Sequence, residues 1–181
     1  MNQSIDMQND GASQGQAGVW ENPGHAADAA QLKFISFAID EDQYGVDVMS
    51  AREIKGWSEV ANLPKQPDYV RGVLNLRGVI VPIIDLRVRF GQGQTAATPS
   101  HIVIIVQIGQ RLVGLLADRV LDIVSVDTAK IQPVPKISRS ARADFLAGLV
   151  TVDNSLIALI DLSNLLAEDE SGSFVQAQPI N

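Results

Sequence analysis

The chain has 181 residues, of which 46% are apolar, and it carries a formal net charge of −7. This length and composition suit one compact domain with a substantial core. The absence of cysteine excludes disulfides and thiolate chemistry. No apolar run approaches the roughly 20 residues that a membrane helix needs, and the N-terminus lacks the basic and apolar regions of a signal peptide.

The negative charge belongs to the two ends of the chain. Residues 1–31 contain four acidic residues and no Lys or Arg, and residues 168–181 contain three acidic residues and again no basic one. The first segment is also rich in Gln, Asn, Gly, Ala and Ser, so we expect a disordered acidic N-terminal tail, with a second acidic tail at the C-terminus. Residues 32–167 then carry 14 acidic and 14 basic residues. This balance disfavours nucleic-acid binding, which depends on a basic face.

Short apolar runs separated by turn residues predict a mainly β protein. The first predicted hairpin consists of Leu32–Ile39 and Tyr44–Val48, joined by a polar turn. Met49–Ile54 is ambiguous between a helical turn and a strand, and Pro67-Asp68 suits the start of a short helix. A second hairpin turns at Arg77-Gly78, between two strongly apolar runs.

The second strand of that hairpin contains Pro82, which suggests an edge strand or a bulge because proline cannot donate to a ladder. One helical turn is predicted over Leu86–Phe90, ended by Gly91. The polar connector Gly91–Ser100 is the expected boundary between two lobes. The remaining predicted elements are a hairpin of Ile102–Ile108 and Leu112–Ala117, a strand over Val120–Val126, a loop over Ile131–Ala143, a hairpin of Gly148–Val152 and Leu156–Ile160, and a helix over Leu162–Ala167.

Two overlays of the chain on itself indicate an internal duplication. A shift of 76 residues places Tyr69–Leu86 over Phe145–Leu162, and a shift of 69 places Phe34–Ile54 over Val103–Ile123. Both halves therefore contain a hairpin, a bridging segment, a second hairpin and an Asp-capped helical turn. Two units do not make a solenoid, so a pair of small β-lobes is predicted. The copies differ at one turn, where Arg77 corresponds to Asp153. This asymmetry suggests that one of the two turns has a function beyond packing.

The residues that enzymes use do not form a catalytic pattern. His25 lies in the predicted tail and His101 precedes a strand, and neither has the spacing of a metal ligand. Asp85 and Asp161 form a candidate carboxylate pair, but each precedes a helical turn, so we interpret both as N-caps. Motifs for a nucleophile elbow, a phosphate loop or a zinc protease are missing. A binding protein without enzymatic activity is therefore the better hypothesis.

A nucleic-acid-binding small β-barrel remains the alternative function. Its sequence support is a loose basic run beside two prolines, made of Lys130, Lys136, Arg139 and Arg142. The simpler interpretation of this run is a solvated loop.

The segment Asn75–Leu86, NLRGVIVPIIDL, resembles the signature hairpin of the CheW-type chemotaxis coupling proteins. Supporting segments occur in the family's order: YGVD from Tyr44, EI from Glu53, RG from Arg71, GQR from Gly109, IQP from Ile131 and LAGL from Leu146. The resemblance covers residues 32–167. It implies a single CheW-like domain made of two SH3-like five-stranded β-barrel lobes with short helices, whose C-terminal segment can pack back on the first lobe.

The resemblance also implies a function. Proteins of this family are cytoplasmic scaffolds without cofactor or enzymatic activity, recruited to membrane-associated chemoreceptor arrays without inserting into the membrane. They bind the cytoplasmic tip of chemoreceptors and the regulatory domain of the histidine kinase CheA. Trp57 and Ala51 depart from the commonest family pattern, which puts the receptor preference in doubt.

Residue roles follow from the same resemblance. Glu53 and Arg77 match residues at the receptor-binding groove, and Ile102 is expected to give that groove an apolar wall. The simpler alternative is that Arg77 and Glu53 only pair with each other as surface charges. Three apolar residues are candidates for kinase contact, although each also suits a plain core position: Val48, Ile54 and Val79.

Overall fold

The computed structural model describes residues 30–135 and 142–167. The predicted tails lie outside these ranges apart from residues 30 and 31, and so do His25, Lys136 and Arg139. The described strands are β1 (Gln31–Ile39), β2 (Asp42–Asp47), β3 (Ala51–Gly56), β4 (Val70–Leu76), β5 (Val79–Asp85), β6 (Ile102–Ile108), β7 (Arg111–Ala117), β8 (Arg119–Asp127), β9 (Leu146–Val152) and β10 (Ser155–Ile160). The described helical turns are α1 (Leu86–Arg89), α2 (Leu162–Leu165) and two 3-10 turns at Thr128–Lys130 and Ala143–Phe145.

The strands form two five-stranded mixed sheets, which confirms the mainly β, two-lobed prediction. The first lobe has the strand order β8-β1-β2-β10-β9, and the second lobe has the order β3-β6-β7-β5-β4. In each lobe, the segment that follows one edge strand pairs with the strand at the opposite edge of the same sheet. Ala61, after β3, pairs with Val73 of β4, and Gln132, after β8, pairs with Leu149 of β9. These bridges close each sheet on itself.

Glycines permit both closures. Gly72 has a φ of +145°, and a Cβ there would collide with the carbonyl oxygen of Ala61. Gly148, its counterpart under the 76-residue shift, would place a Cβ 2.6 Å from Ile131 Cγ2 and 3.0 Å from the Gln132 oxygen. Each repeat therefore needs glycine where the bridging segment crosses the hairpin.

The duplication is visible in the topology, but the lobes exchange strands. Replacing β1 to β5 by β6 to β10, and the reverse, converts one strand order into the other. Each half of the chain contributes two strands to one lobe and three to the other. The chain crosses between lobes after β2 and after β7. The segment Gly91–Ser100 joins α1 to β6 within the second lobe, so the expectation that it separates the lobes was wrong.

The structure resolves one ambiguous local prediction and revises two others. The ambiguous Met49–Ile54 segment forms β3 from Ala51 onward, and Pro67-Asp68 begins a turn rather than a helix. Pro82 lies in β5, which is flanked by β7 and β4 and is therefore not an edge strand. The predicted alternative, a bulge, has a counterpart in β4, whose pairing with β5 is irregular between Val70 and Gly72, opposite Ile84 and Ile83. The ladder with β7 covers only Ile83–Asp85, so the missing N–H of Pro82 falls outside it.

The largest buried cluster joins the two lobes. It contains Ile35, Phe37 and Tyr44 from the first lobe together with Ile84 and Ile104 from the second. Separate smaller clusters fill each barrel. Because most of the core is shared, burial in one lobe depends on the position of the other. In the described part of the chain, no helix is long and apolar enough to cross a membrane.

Candidate functional site

The β4–β5 turn holds Arg77 in an unusual backbone conformation. Arg77 has a φ of +52° and Gly78 a φ of +89°, which suits the tight turn of a two-residue hairpin. Asn75 Oδ1 accepts a 2.8 Å hydrogen bond from the Gly78 N–H. The equivalent turn of the first lobe uses Asp153 and Asn154, which tolerate this region well. Arginine does not favour it, and backbone strain of this kind often accompanies function.

Arg77 forms an ion pair with Glu53. Its Nη2 lies 3.0 Å from Glu53 Oε2, and the two side chains are 80% and 30% exposed. The pair links the edge strand β3 to the turn between β4 and β5, and so brings together two of the predicted receptor-binding residues. The simple pairing that the sequence left open is therefore present. Because an exposed pair contributes only about 0–1 kcal/mol, its contribution to folding does not explain why arginine is used here.

Ile102 lies apart from this pair. It begins β6 opposite Gly56, whereas Glu53 is opposite Ile105. Directly paired residues share a face of the sheet and successive residues alternate, so Ile102 and Glu53 belong to opposite faces. Ile102 is half-buried and packs against the cluster that joins the lobes.

The three kinase-contact candidates lie in three places. Val48 is half-buried against the shared core, where the chain crosses between the lobes. Ile54 on β3 is 43% exposed, and Val79 at the start of β5 is 47% exposed. Val79 adjoins Ile80, which is also exposed and which the sequence interpretation did not include. The two exposed candidates suit contact with a partner better than Val48 does.

Asp85 is fully buried and has a structural role. It caps α1 by accepting from the N–H groups of Arg87 and Val88. Thr95 donates to it twice, at 3.0 Å from its backbone N and 2.7 Å from its hydroxyl, and Arg71 lies 3.6 Å away. Its counterpart Asp161 accepts from the N–H and the side-chain amide of Asn164. The capping interpretation is confirmed for both carboxylates.

A charged network at the junction of the lobes was missed from the sequence. Arg87 Nη2 lies 2.7 Å from Asp40 and 2.7 Å from Asp118. Desolvation lowers the pKa of Arg87, but the hydrogen bonds and charges of Asp118 and Asp40 outweigh it and raise this pKa above its ordinary value. His101 Nε2 is 3.6 Å from Asp118, and its Nδ1 accepts from the Thr98 N–H. No local pattern could reveal this network, since its members come from four distant parts of the chain.

The described part of the basic run does not form a cationic face. Arg142 is paired with Asp42 at 2.8 Å and its guanidinium lies 6.0 Å from the ring centroid of Tyr44. Lys130 is exposed at the end of a 3-10 turn. Among the described residues, no group of His, Cys, Asp and Glu side chains has the arrangement of a metal site.

Trp57 has a structural environment in the second lobe. It packs against that lobe's own core and lies 5.9 Å from the Arg71 guanidinium. Both residues line an open cleft of about 770 Å³ between the chain after β3 and the connector before β6.

Comparison with known proteins gives a consistent result. The model of the CheW-like domain family matches residues 33–170. The probable chemotaxis protein CheW of Rhizobium etli is 41% identical over 139 residues, which cover 77% of this chain and 90% of that protein. The chemotaxis protein CheW of Klebsiella aerogenes is 36% identical, covering 80% and 87%. The crystal structure of the scaffolding protein TtCheW from Thermoanaerobacter tengcongensis superposes with a TM-score of 0.71 at 30% identity, covering 82% and 96%.

Proposed function

The chain belongs to the family of CheW-like proteins, and from that membership we propose that it couples chemoreceptors to the histidine kinase CheA. It is a chemotaxis scaffold and not an enzyme. Its role is to hold receptor and kinase together so that the state of the receptor controls phosphorylation. The expected location is the cytoplasm, at membrane-associated receptor arrays, and the function requires no cofactor.

The observation that carries the receptor part of this proposal is the exposed, left-handed Arg77. Its side chain is 80% exposed even though its Nη2 pairs with Glu53 at 3.0 Å. A guanidinium can offer forked hydrogen bonds to carboxylates or carbonyls on a receptor helix, which lysine cannot copy. A receptor helix would thus contact Arg77 and Glu53 directly. Ile102 would contribute through the shared core against which it packs, on the other face of the sheet.

The kinase part of the proposal rests on exposed apolar residues of the second lobe. Ile54 and Val79 expose apolar surface that a protein partner can bury. Val48 would act less directly, because it is half-buried between the lobes. We therefore place the kinase contact on the exposed pair, with Val48 fixing the position of the lobe.

The direct experiment is reconstitution of receptor fragments, CheA and the full chain. Receptor control of autophosphorylation should appear only when all three are mixed. Control that persists unchanged without this chain would contradict the proposal, and so would a turnover activity of the purified chain alone.

The nucleic-acid alternative makes a different prediction. Residues 32–167 are formally neutral and Arg142 is already paired with Asp42, so binding to DNA or RNA should be weak at physiological salt. Tight binding that falls steeply as salt rises would favour the alternative, because that slope measures displaced counterions.

A further inference from the structure

The outer edge of β8 carries features that suit pairing with another strand. β8 is nine residues long and forms one edge of the first sheet. No other described strand pairs with its outer side. Leu121 and Ile123 are 40% and 58% exposed, and the strand contains neither proline nor lysine. Its pairing with β1 is irregular between Val120 and Asp122, where Leu121 has no partner, so the regular part of the edge runs from Asp122 to Asp127. The corresponding strand β3 is three residues shorter and contains Arg52, Glu53 and Lys55.

The backbone groups of Ile123 point away from the sheet. Asp122 directs both of its own groups toward β1, where Ser36 Oγ donates to its carbonyl at 3.0 Å and accepts from its N–H at 3.1 Å. Successive residues of a strand direct these groups to opposite sides, so those of Ile123 face outward. The Ile123 N–H donates instead to the Asp122 carboxylate, at 2.7 Å. A side chain thus occupies the position that an acceptor on a neighbouring strand would take.

We propose that β8 pairs in antiparallel fashion with β8 of a second copy of this chain, centred on Ile123. The sequence of the strand, RVLDIVSVD, is self-complementary in this register. Ile123 faces Ile123 of the second copy, and Leu121 faces Ser125. Arg119 faces Asp127 at both ends, so that the charges match twice in one twofold contact.

The groups that would meet are accessible in the single chain. Arg119 is exposed and forms no ion pair with another described residue. Asp127 uses one carboxylate oxygen to cap the following 3-10 turn, by accepting from Ala129 N–H at 2.9 Å. Its other oxygen remains available for an arginine. Asp122 opposes the pairing in two ways. Its carboxylate occupies the Ile123 N–H, and it lies diagonally across the contact from Asp122 of the second copy, so that two negative charges repel each other. The pairing is therefore weak in the wild-type chain and is held back by this carboxylate.

Cysteine cross-linking of the full chain tests the register directly. The wild-type sequence has no cysteine, so a single introduced thiol can form a disulfide only with a second copy. A hydrogen-bonded antiparallel pair places opposite Cα atoms about 5.5 Å apart, within the range for a disulfide. Ile123→Cys should cross-link under mild oxidation, whereas Ser125→Cys, which faces Leu121, should not. Cross-linking of Ser125→Cys alone, or of neither variant, would overturn the proposal.

Sedimentation velocity over a concentration series tests the energetics. Arg119→Glu should raise the dissociation constant about tenfold or more, because it turns two attractive pairs into two repulsive ones. Arg111→Glu, a charge reversal on the other lobe, should have no effect, and Asp122→Ala should tighten association. Ile123→Pro removes the outward N–H together with the exposed isoleucine side chain and should abolish association, with circular dichroism as the folding check. The proposal is wrong if both the wild type and Asp122→Ala stay monomeric, or if Arg119→Glu leaves the dissociation constant unchanged.

Discussion

Tyr69 and Phe145, which hold equivalent positions in the two repeats, both lie against the guanidinium of Arg89. The Arg89 Cζ is 4.2 Å from the ring centroid of Tyr69 and 4.4 Å from that of Phe145. Its Nε also donates to the Leu165 carbonyl at 3.1 Å. Arg89 is 8% exposed, so these cation–π contacts act with little screening by water. One arginine of α1 in the second lobe thus contacts both Phe145 and α2, which flank the last two strands of the first lobe.

Replacing Arg89 by alanine should loosen this junction. We expect Arg89→Ala to lower the free energy of unfolding by about 2–4 kcal/mol, from two lost cation–π contacts and a charged hydrogen bond. Urea unfolding followed by circular dichroism measures the change. Arg111→Ala, at an exposed hairpin arginine, is the matched control and should stay near wild type. Equal stability of the two variants would show that Arg89 does not join the lobes.

The two equivalent caps should differ in importance. Asp85 is fully buried and has donors from α1 and from Thr95, so Asp85→Ala should cost about 3 kcal/mol or more by leaving these groups and Arg71 without their acceptor. Asp161→Ala should cost only about 1 kcal/mol, the usual value for a cap. Chemical denaturation of both variants gives the comparison. Similar losses would mean that the Thr95 and Arg71 contacts add nothing to the cap.

Local features were predictable from the sequence because short-range chemistry fixes them. The Arg77-Gly78 turn, the Asp85 and Asp161 caps and most strands follow from turn residues and apolar runs. The β8 hydrogen bond from Ile123 to Asp122 is equally local, but it gains meaning only because no described strand lies on the outer side of β8. That absence is a property of the sheet and not of the segment.

Long-range features were not predictable in the same way. The overlays revealed two repeats, yet an apolar hairpin buries equally well in either lobe, so the overlays could not show that the repeats exchange strands. Connector length was also misleading. The chain crosses between lobes within residues 48–50, whereas the longer Gly91–Ser100 stays inside one lobe. The junction of Arg87, Asp40 and Asp118 depends on that exchange and was missed with it.

The pH dependence of stability should show the burial of Tyr44. Burial raises the pKa of Tyr44 to about 12, from an ordinary value of 10. The folded state therefore retains the phenol proton where the unfolded chain would lose it. This contribution is complete below pH 10 and disappears as the pH rises from about 10 to 12. Urea midpoints measured from pH 8 to 11.5 should fall more steeply for wild type than for Tyr44→Phe. Parallel curves would contradict the assignment.

The Arg77 side chain should matter for receptor binding and little for folding. Arg77→Ala should weaken binding of a receptor fragment by about 1–3 kcal/mol, as expected for a charged hydrogen-bonded contact. Arg77→Lys should restore only part of this, because the ammonium lacks the planar fork. The free energy of unfolding should change by less than about 1 kcal/mol, because the ion pair with Glu53 is exposed. Calorimetric titration of receptor and kinase fragments, with melting curves alongside, measures all of these effects.

The left-handed backbone at Arg77 requires its own control. Arg77→Asn removes the guanidinium but introduces a residue that tolerates a positive φ, so it should lose receptor affinity while keeping or slightly raising stability. A double-mutant cycle with Glu53→Gln then separates the Arg77–Glu53 pair from contacts with the receptor. If Arg77→Asn binds receptor as well as wild type does, the arginine is not the contact. If Arg77→Ala instead unfolds the protein, the turn serves the fold, and the receptor surface must lie elsewhere.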